Sequence, residues 1–489
     1  MELPGEDRDF KLVPDMIIDR RTFLAATGAC MAARVPAAEQ PTIFRPEQFG
    51  ARGDGTTNDT DAFAALSERV NAVGGGTIAL APQSTYIVGL QSRGRDRPFS
   101  PRPILELGGL TAPLTILGRG ARLRAANGLR FGSFDPRTAR PIRRAMPNIQ
   151  ELDRASPYIG MIVIRGSRAP IAIHDIELDG NVGAMHIGGP WGDSGWQVPG
   201  SGLALYDNVA SETLQNVYSH HHPLDGAIID GDMARFGRGR IEKLTCRDNG
   251  RQGLSIVGGR GYDFEDCEFS RTGRASITSA PGAGLDIEAE GAKSIRDLSF
   301  NRCKFADNVG PAMGADSGDS ADVRFTDCLF IGTTSWAAWP HKPRFTFQDC
   351  TFAGTVVHPF SSANPALATK FVDCRFTDDP KLSPTGRLYV SGRAGNGIVS
   401  MDPSDNVQFV SCTFELVRNG VLPWSWRAIY RDCTMKQASH VPAMTKGKFH
   451  GRSVINGPAD LYGSMIVGTV ILNGKSLPRG RVGSDFKPW

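Results

Sequence analysis

Four carboxylates, Asp230, Asp286, Glu288 and Asp316, are spaced so that residues far apart in the chain can work as a set. Asp286 and Glu288 are two residues apart, so an extended strand puts both on one face, about 6.5 to 7 Å from each other. Apolar alternation points Ala227 and Ile229, Leu254 and Ile256, Leu285 and Ile287, and Met313 and Ala315 inward on successive segments. Asp230, Val257, Glu288 and Asp316 then form one outward row, with Ile228, Ser255, Asp286 and Gly314 beside it. Adjacent strands would bring Glu288 and Asp316 to about 5 Å. Like charges that close raise at least one pKa or recruit a cation. Two chemistries use such a group. Hydrolysis of a glycosidic bond needs one protonated and one ionised carboxyl. β-Elimination from a uronic-acid sugar would instead use Asp286, Glu288 and Asp316 to hold Ca²⁺ against the substrate carboxylate, acidifying the carbon that loses its proton. A row of solvated acids on a strand face is the plain alternative.

His220-His221-His222-Pro223-Leu224-Asp225-Gly226 leads into the same face. An imidazole titrates near neutrality, so His222 or a neighbour can transfer the proton, with Asp225 to orient it and His221 against the substrate. Three consecutive histidines cannot all point to one side. A turn held by side-chain hydrogen bonds explains them equally, and nothing sets a tetrahedral zinc spacing. Arg251 can bind a substrate carboxylate or act as the base, or simply neutralise Glu288 or Asp230. Trp191, Trp196 and Tyr206 lie on the long glycine-rich stretch between 176 and 217, where aromatics can stack on sugar rings or anchor the loop. Trp336, Trp339, Trp424 and Trp426 extend the aromatic supply toward the C-terminus.

The elements that must position these groups are set by a repeat. An aromatic, two residues, a cysteine, one residue and then Phe or Met recurs as Phe264/Cys267/Phe269, Phe300/Cys303/Phe305, Phe325/Cys328/Phe330, Phe347/Cys350/Phe352, Phe371/Cys374/Phe376, Phe409/Cys412/Phe414 and Tyr430/Cys433/Met435. Successive cysteines are 36, 25, 22, 24, 38 and 21 residues apart, a solenoid rhythm with two insertions. Apolar forerunners begin at Ile173, Leu214 and Ile241. Cys and the second aromatic fit one face of a strand, while the leading aromatic has the opposite parity and is assigned to a bend. Gly, Pro, Asn and Asp are too frequent for helices. A coil this short cannot bury its own apolar side, so only stacking completes a core. The fold predicted is all-β, a parallel β-helix, with regular coils over 173–435 and closing strands and a polar tail over 440–489. Stacked side chains point the same way, which favours free buried thiols over disulfides.

At 489 residues a solenoid needs no division into separate cores, so 39–489 is predicted to be one domain. No apolar run is long enough to span a bilayer as a helix. The net charge of +4 is mild, and the absence of a Lys/Arg block interleaved with aromatics argues against nucleic acid. Asp19-Arg20-Arg21-Thr22-Phe23-Leu24, followed by weakly apolar Ala25 to Ala33, is similar to a twin-arginine export signal, placing a signal segment at 1–38 and the mature protein in the periplasm or outside the cell. That route exports proteins already folded, which suits reduced cysteines.

Residues 43–90 supply the N-terminal cap. In Phe49-Gly50-Ala51-Arg52-Gly53-Asp54-Gly55-Thr56-Thr57-Asn58-Asp59-Thr60-Asp61-Ala62-Phe63 a Gly/Asp turn precedes an N-cap cluster, and Ala62, Phe63, Leu66 and Val70 make a helical stripe ended by Gly74-Gly75-Gly76. This segment closely resembles the N-terminal motif of the pectate lyase superfamily of right-handed parallel β-helices, shared by polygalacturonase-like hydrolases and phage tailspike-like proteins. The resemblance implies an extracytoplasmic protein acting on carbohydrate: a polysaccharide lyase or hydrolase, a C5-epimerase, or a non-catalytic glycan-binding module. The Asn-Thr-Asp, Gly-His-Gly and Arg-Ile-Lys patterns of the polygalacturonase-like enzymes are missing, and the single Asp-Asp, Asp378-Asp379, stands alone.

Overall fold

A computed structural model describes residues 42–93, 99–135, 137–142, 154–189, 198–391, 396–401 and 405–484. The expected signal segment, Trp191 and Trp196 lie outside the described residues. The chain winds as the predicted all-β right-handed parallel β-helix, its strands pairing in parallel from coil to coil. At the N-terminal end sits helix α1, Thr60–Val73, which buries Ala62, Phe63, Leu66 and Val70. The Asp59 side chain does not cap α1. It accepts instead from the Arg52 and Gly53 N–H groups, closing the turn before the helix. Asn58 takes the Thr60 N–H at 3.1 Å. Gly74, at φ 79°, ends α1 by donating its N–H to Val70 and Asn71 carbonyls, a conformation glycine adopts without a Cβ penalty.

Two sheet faces matter for function. The first stacks Ile171–Asp179 on Glu212–His220 and then on Gly239–Arg247, and continues through every copy of the cysteine phrase. Register follows the repeat throughout: Ile173, Leu214, Ile241, Phe264, Phe300 and Phe325 are successive partners, and Phe347, Phe371, Phe409 and Tyr430 continue the line. The rings stack at 4.4 Å for Phe264 on Phe300 and 5.1 Å for Phe371 on Phe409. Such pairs contribute about 0.5 to 1.5 kcal/mol each beyond their buried area.

The leading aromatic is not in a bend, as its parity suggested, but in a strand of its own, such as Phe345–Gln348 for Phe347. The bend lies one residue before each cysteine. Asp266, Arg302, Asp327, Asp349, Asp373, Ser411 and Asp432 all take positive φ, which turns the chain so that aromatic, cysteine and Phe all face inward. Aspartate supplies five of these seven because its short polar side chain tolerates the left-handed region. The eight described cysteines are buried and free. The Sγ atoms of the seven in the phrase donate to backbone carbonyls, as Cys374 does to Val372 at 3.2 Å.

The second face runs Gly160–Arg165, Ser201–Tyr206, Asp225–Asp230, the first half of Gln252–Glu265, Ala283–Ile287, Met313–Ala315 and Trp339–Pro340. Its inward residues are those expected, from Ala227 and Ile229 to Met313 and Ala315, all buried.

Candidate active site

Ser255, Asp286 and Gly314 are successive partners on the second face, as the alternation required. Trp339 follows Gly314 in the same outward row. Gly314 carries no side chain, and a Cβ there would meet only Asp286 Oδ1 and Pro311 Cγ, each at 3.7 Å. Asp286 is held by the Gln252 amide, which donates to Oδ2. Burial pushes the Asp286 carboxyl up to about 7; the Glu288 charge adds to this, Arg251 opposes it, and Asp225 and Asp316 add again. Glu288 and Asp316 therefore both act electrostatically on Asp286. Glu288 is exposed and accepts from the Ser317 hydroxyl. Glu290, two residues further, is also raised by burial. Gln252, Glu290 and Ser317 were not anticipated, although Glu290 continues the parity of Asp286 and Glu288.

Other anticipated residues have different roles. Asp230 is not opposite Val257: a bulge after Ile229 sets it against Gly258. It is bound by Lys293, which also reaches Asp207 at 3.2 Å. Arg251 is not free to bind a substrate carboxylate or to act as a base. It lies buried and grips Asp225 through Nε at 2.9 Å and Nη2 at 2.6 Å. Asp225 also accepts from Ser255 Oγ at 2.9 Å, so it orients Arg251 rather than a histidine. Tyr206 belongs to a strand, opposite Asp230, with the Arg165 guanidinium 5.5 Å from its ring centre. Burial raises its phenol, which disfavours a tyrosinate base.

The histidine run splits. His222 is fully buried, with Nε2 3.0 Å from the Leu178 carbonyl and Nδ1 3.0 Å from the Tyr158 hydroxyl. The carbonyl requires Nε2–H, so Nδ1 accepts from Tyr158, and burial drives the imidazole well below its usual pKa. His222 is thus a neutral core residue and cannot exchange protons with a substrate. His221 adopts φ 55°, which reverses the alternation and leaves His220 and His221 together on the other side. Among the described residues, the group of three side chains whose ligand atoms all lie within 4.8 Å is Asp179, His220 and His221. Asp286, Glu288 and Asp316, the set that β-elimination would use to hold Ca²⁺, do not converge as closely. The isolated Asp378 is structural: its carboxylate accepts N–H groups from Val417 at 2.6 Å and Gly420 at 2.8 Å.

No known family's sequence profile matches the chain. It is 24% identical over 359 residues to the capsule KN3-specific depolymerase 1 of Klebsiella phage KN3-1, covering 64% of this chain and 40% of that protein. The chain therefore spans less than half the length of that relative. Among solved structures it is similar to the N-terminal fragment of gene product 12 of bacteriophage Phi29, with a TM-score of 0.55 at 12% identity over 90% of this chain and 73% of the other. That likeness is one of fold. The A-module of a mannuronan C-5 epimerase from Azotobacter vinelandii gives a TM-score of 0.45 at 15% identity over 88% of this chain and 100% of that one. Among the described residues, no helix is long and apolar enough to cross a membrane.

Proposed function

We propose that the protein hydrolyses an acidic polysaccharide, with Asp286 as general acid and Glu288 as general base. The observation that carries this reading is the Asp286 carboxyl near pKa 7 beside an exposed glutamate. One carboxyl protonated at neutral pH next to one ionised is what glycoside cleavage requires. Asp286 gives its proton to the glycosidic oxygen as the bond to the anomeric carbon breaks. Water adds to that carbon and passes its proton to Glu288. Glu288 stands one residue beyond the end of Ala283–Ile287, next in line after the acid it would assist. Trp339, the register partner of Gly314, offers a platform for the sugar. The capsule-specific depolymerase at 24% identity supports a polysaccharide substrate.

β-Elimination fits less well, because Arg251 and His222, two of the groups offered as its base, are committed within the core. Export through the twin-arginine-type segment would bring the folded enzyme to extracytoplasmic glycan. The test is incubation of the protein with capsular and other acidic polysaccharides, with and without EDTA. New reducing ends without ultraviolet-absorbing unsaturated product are expected, insensitive to EDTA. Unsaturated ends would identify a lyase. Binding without any cleavage would identify a glycan-binding module.

A further inference from the structure

Asp179, His220 and His221 lie on two adjacent coils of the first face, away from the acid row. Asp179 and His220 are register partners at the ends of Ile171–Asp179 and Glu212–His220. Because His221 takes a left-handed conformation, its ring turns back toward that of its neighbour. The two Nδ1 atoms are 2.7 Å apart with the rings nearly perpendicular, and Asp179 Oδ1 is 3.9 Å from His220 Nδ1. Three ligand atoms thus converge on one point.

We propose that Asp179, His220 and His221 bind a first-row divalent cation of the zinc class.

The surroundings are those of a metal-binding histidine. His220 Nε2 lies 3.0 Å from Glu177 Oε1, which fixes the proton on Nε2 and leaves the Nδ1 lone pair facing His221. Tyr218 stacks on the His220 ring at 4.2 Å and holds its plane. Asp179 is fixed by Arg124 at 2.6 Å and by the Asn181 N–H at 2.9 Å, and Oδ1 keeps a second lone pair. Two imidazole nitrogens and one carboxylate oxygen suit Zn²⁺ or Co²⁺ far better than Ca²⁺ or Mg²⁺, which prefer all-oxygen sites. Three protein ligands leave a fourth position open, and His221 is only half-buried, so solvent or a ligand can reach it. Arg122 and Arg124 already balance Glu177 and Asp179, so the affinity expected is that of an open site rather than of a closed structural one.

The competing arrangement is a proton shared between the two Nδ1 atoms, with no ion. The full chain, without a histidine tag and stripped with EDTA, is titrated with Zn²⁺ by calorimetry and with Co²⁺ by visible absorption. One equivalent of each should bind, with a visible Co²⁺ band, while Ca²⁺ gives no heat. His221→Asn, which tolerates the left-handed backbone, should keep the circular dichroism of the parent and bind at least tenfold more weakly. His174→Gln, on the same face, should bind as the parent does. Absence of stoichiometric Zn²⁺ binding, or unchanged binding in His221→Asn, overturns the site. Loss of binding in His174→Gln, or tighter binding of Ca²⁺ than of Zn²⁺, does so as well. The readout is binding, so it is independent of whether the acid row cleaves polysaccharide.

Discussion

Both faces of the solenoid carry acids, yet Asp286 on the second face is in an electrostatic state opposite to that of the aspartates on the first. On the first face, a groove of about 600 Å³ is lined by Arg238, Asp263, Asp297, Asp322, Arg344 and Lys370 among others. Each acid there meets an arginine: Arg238 donates to Asp263 at 2.6 Å and to Asp297 at 2.8 Å, and Arg344 to Asp322 at 2.9 Å. These guanidiniums hold Asp263 and Asp322 below the usual carboxylate range. On the second face Asp286 has an amide partner and Glu288 a hydroxyl, while the nearby Arg251 is taken by Asp225. The carboxyl there rises to about 7. Neutralised acids hold coils together, whereas acids denied a cation are poised to exchange protons. The groove on the first face is therefore a weaker candidate for catalysis than the acids on the second.

The contrast is broken most sharply by removing one acid from each face. Asp286→Asn should lower the rate of polysaccharide cleavage by about 10²- to 10⁴-fold, the usual worth of a general acid. Asp322→Asn should leave it within about twofold, since a surface ion pair contributes only about 0 to 1 kcal/mol to anything. Initial rates of reducing-end release measure both. Equal losses in the two variants would mean that the comparison does not locate the site.

Much of this arrangement is legible in the sequence itself. The cysteine phrase worked as a ruler, so Phe264 through Tyr430 fell into register and Asp286 into line with Ser255 and Gly314. The same ruler places Asp179 beside His220, each six residues after its rung begins at Ile173 or Leu214, a pairing that went unread. What stayed hidden were local breaks in alternation. Val257-Gly258-Gly259, with Gly259 at φ 104°, supplies the extra residue that moves Asp230 out of the row. The left-handed His221 flips His222 into the core, and no counting of odd and even positions reveals a single such residue. Ion-pair choice was equally opaque: Arg251 had several acids in reach, and burial of Asp225 decided among them.

The arginines themselves give the next test. Arg251→Ala leaves the fully buried Asp225 carboxylate without its cation and should cost about 3 to 5 kcal/mol of stability. Arg344→Ala removes the partner of an exposed aspartate and should cost about 0 to 1 kcal/mol. Denaturant midpoints at constant slope compare them. A small loss for Arg251→Ala would mean that Asp225 is solvated, and that Arg251 is available to a substrate after all.

The gentlest probe is the pH dependence of stability, because the two faces must respond with opposite sign. The folded pKa of Asp286, about 7, lies above the unfolded value near 4, so the fold favours the protonated form. Its contribution is complete below about pH 4 and disappears as pH rises through about 7. Asp286→Asn keeps the neutral form at every pH, so its melting temperature should match the parent in acid and exceed it by a few degrees above about pH 7.5. Asp322, held low by Arg344, behaves in reverse. Its contribution is present above about pH 4 and lost as pH falls through the depressed value, so Asp322→Asn should be slightly less stable than the parent at neutral pH and converge with it in acid. Screening by solvent makes this second difference the smaller of the two. If Asp286→Asn melted below the parent at alkaline pH, the aspartate would be stabilised as an anion, and it could not serve as the acid near neutrality.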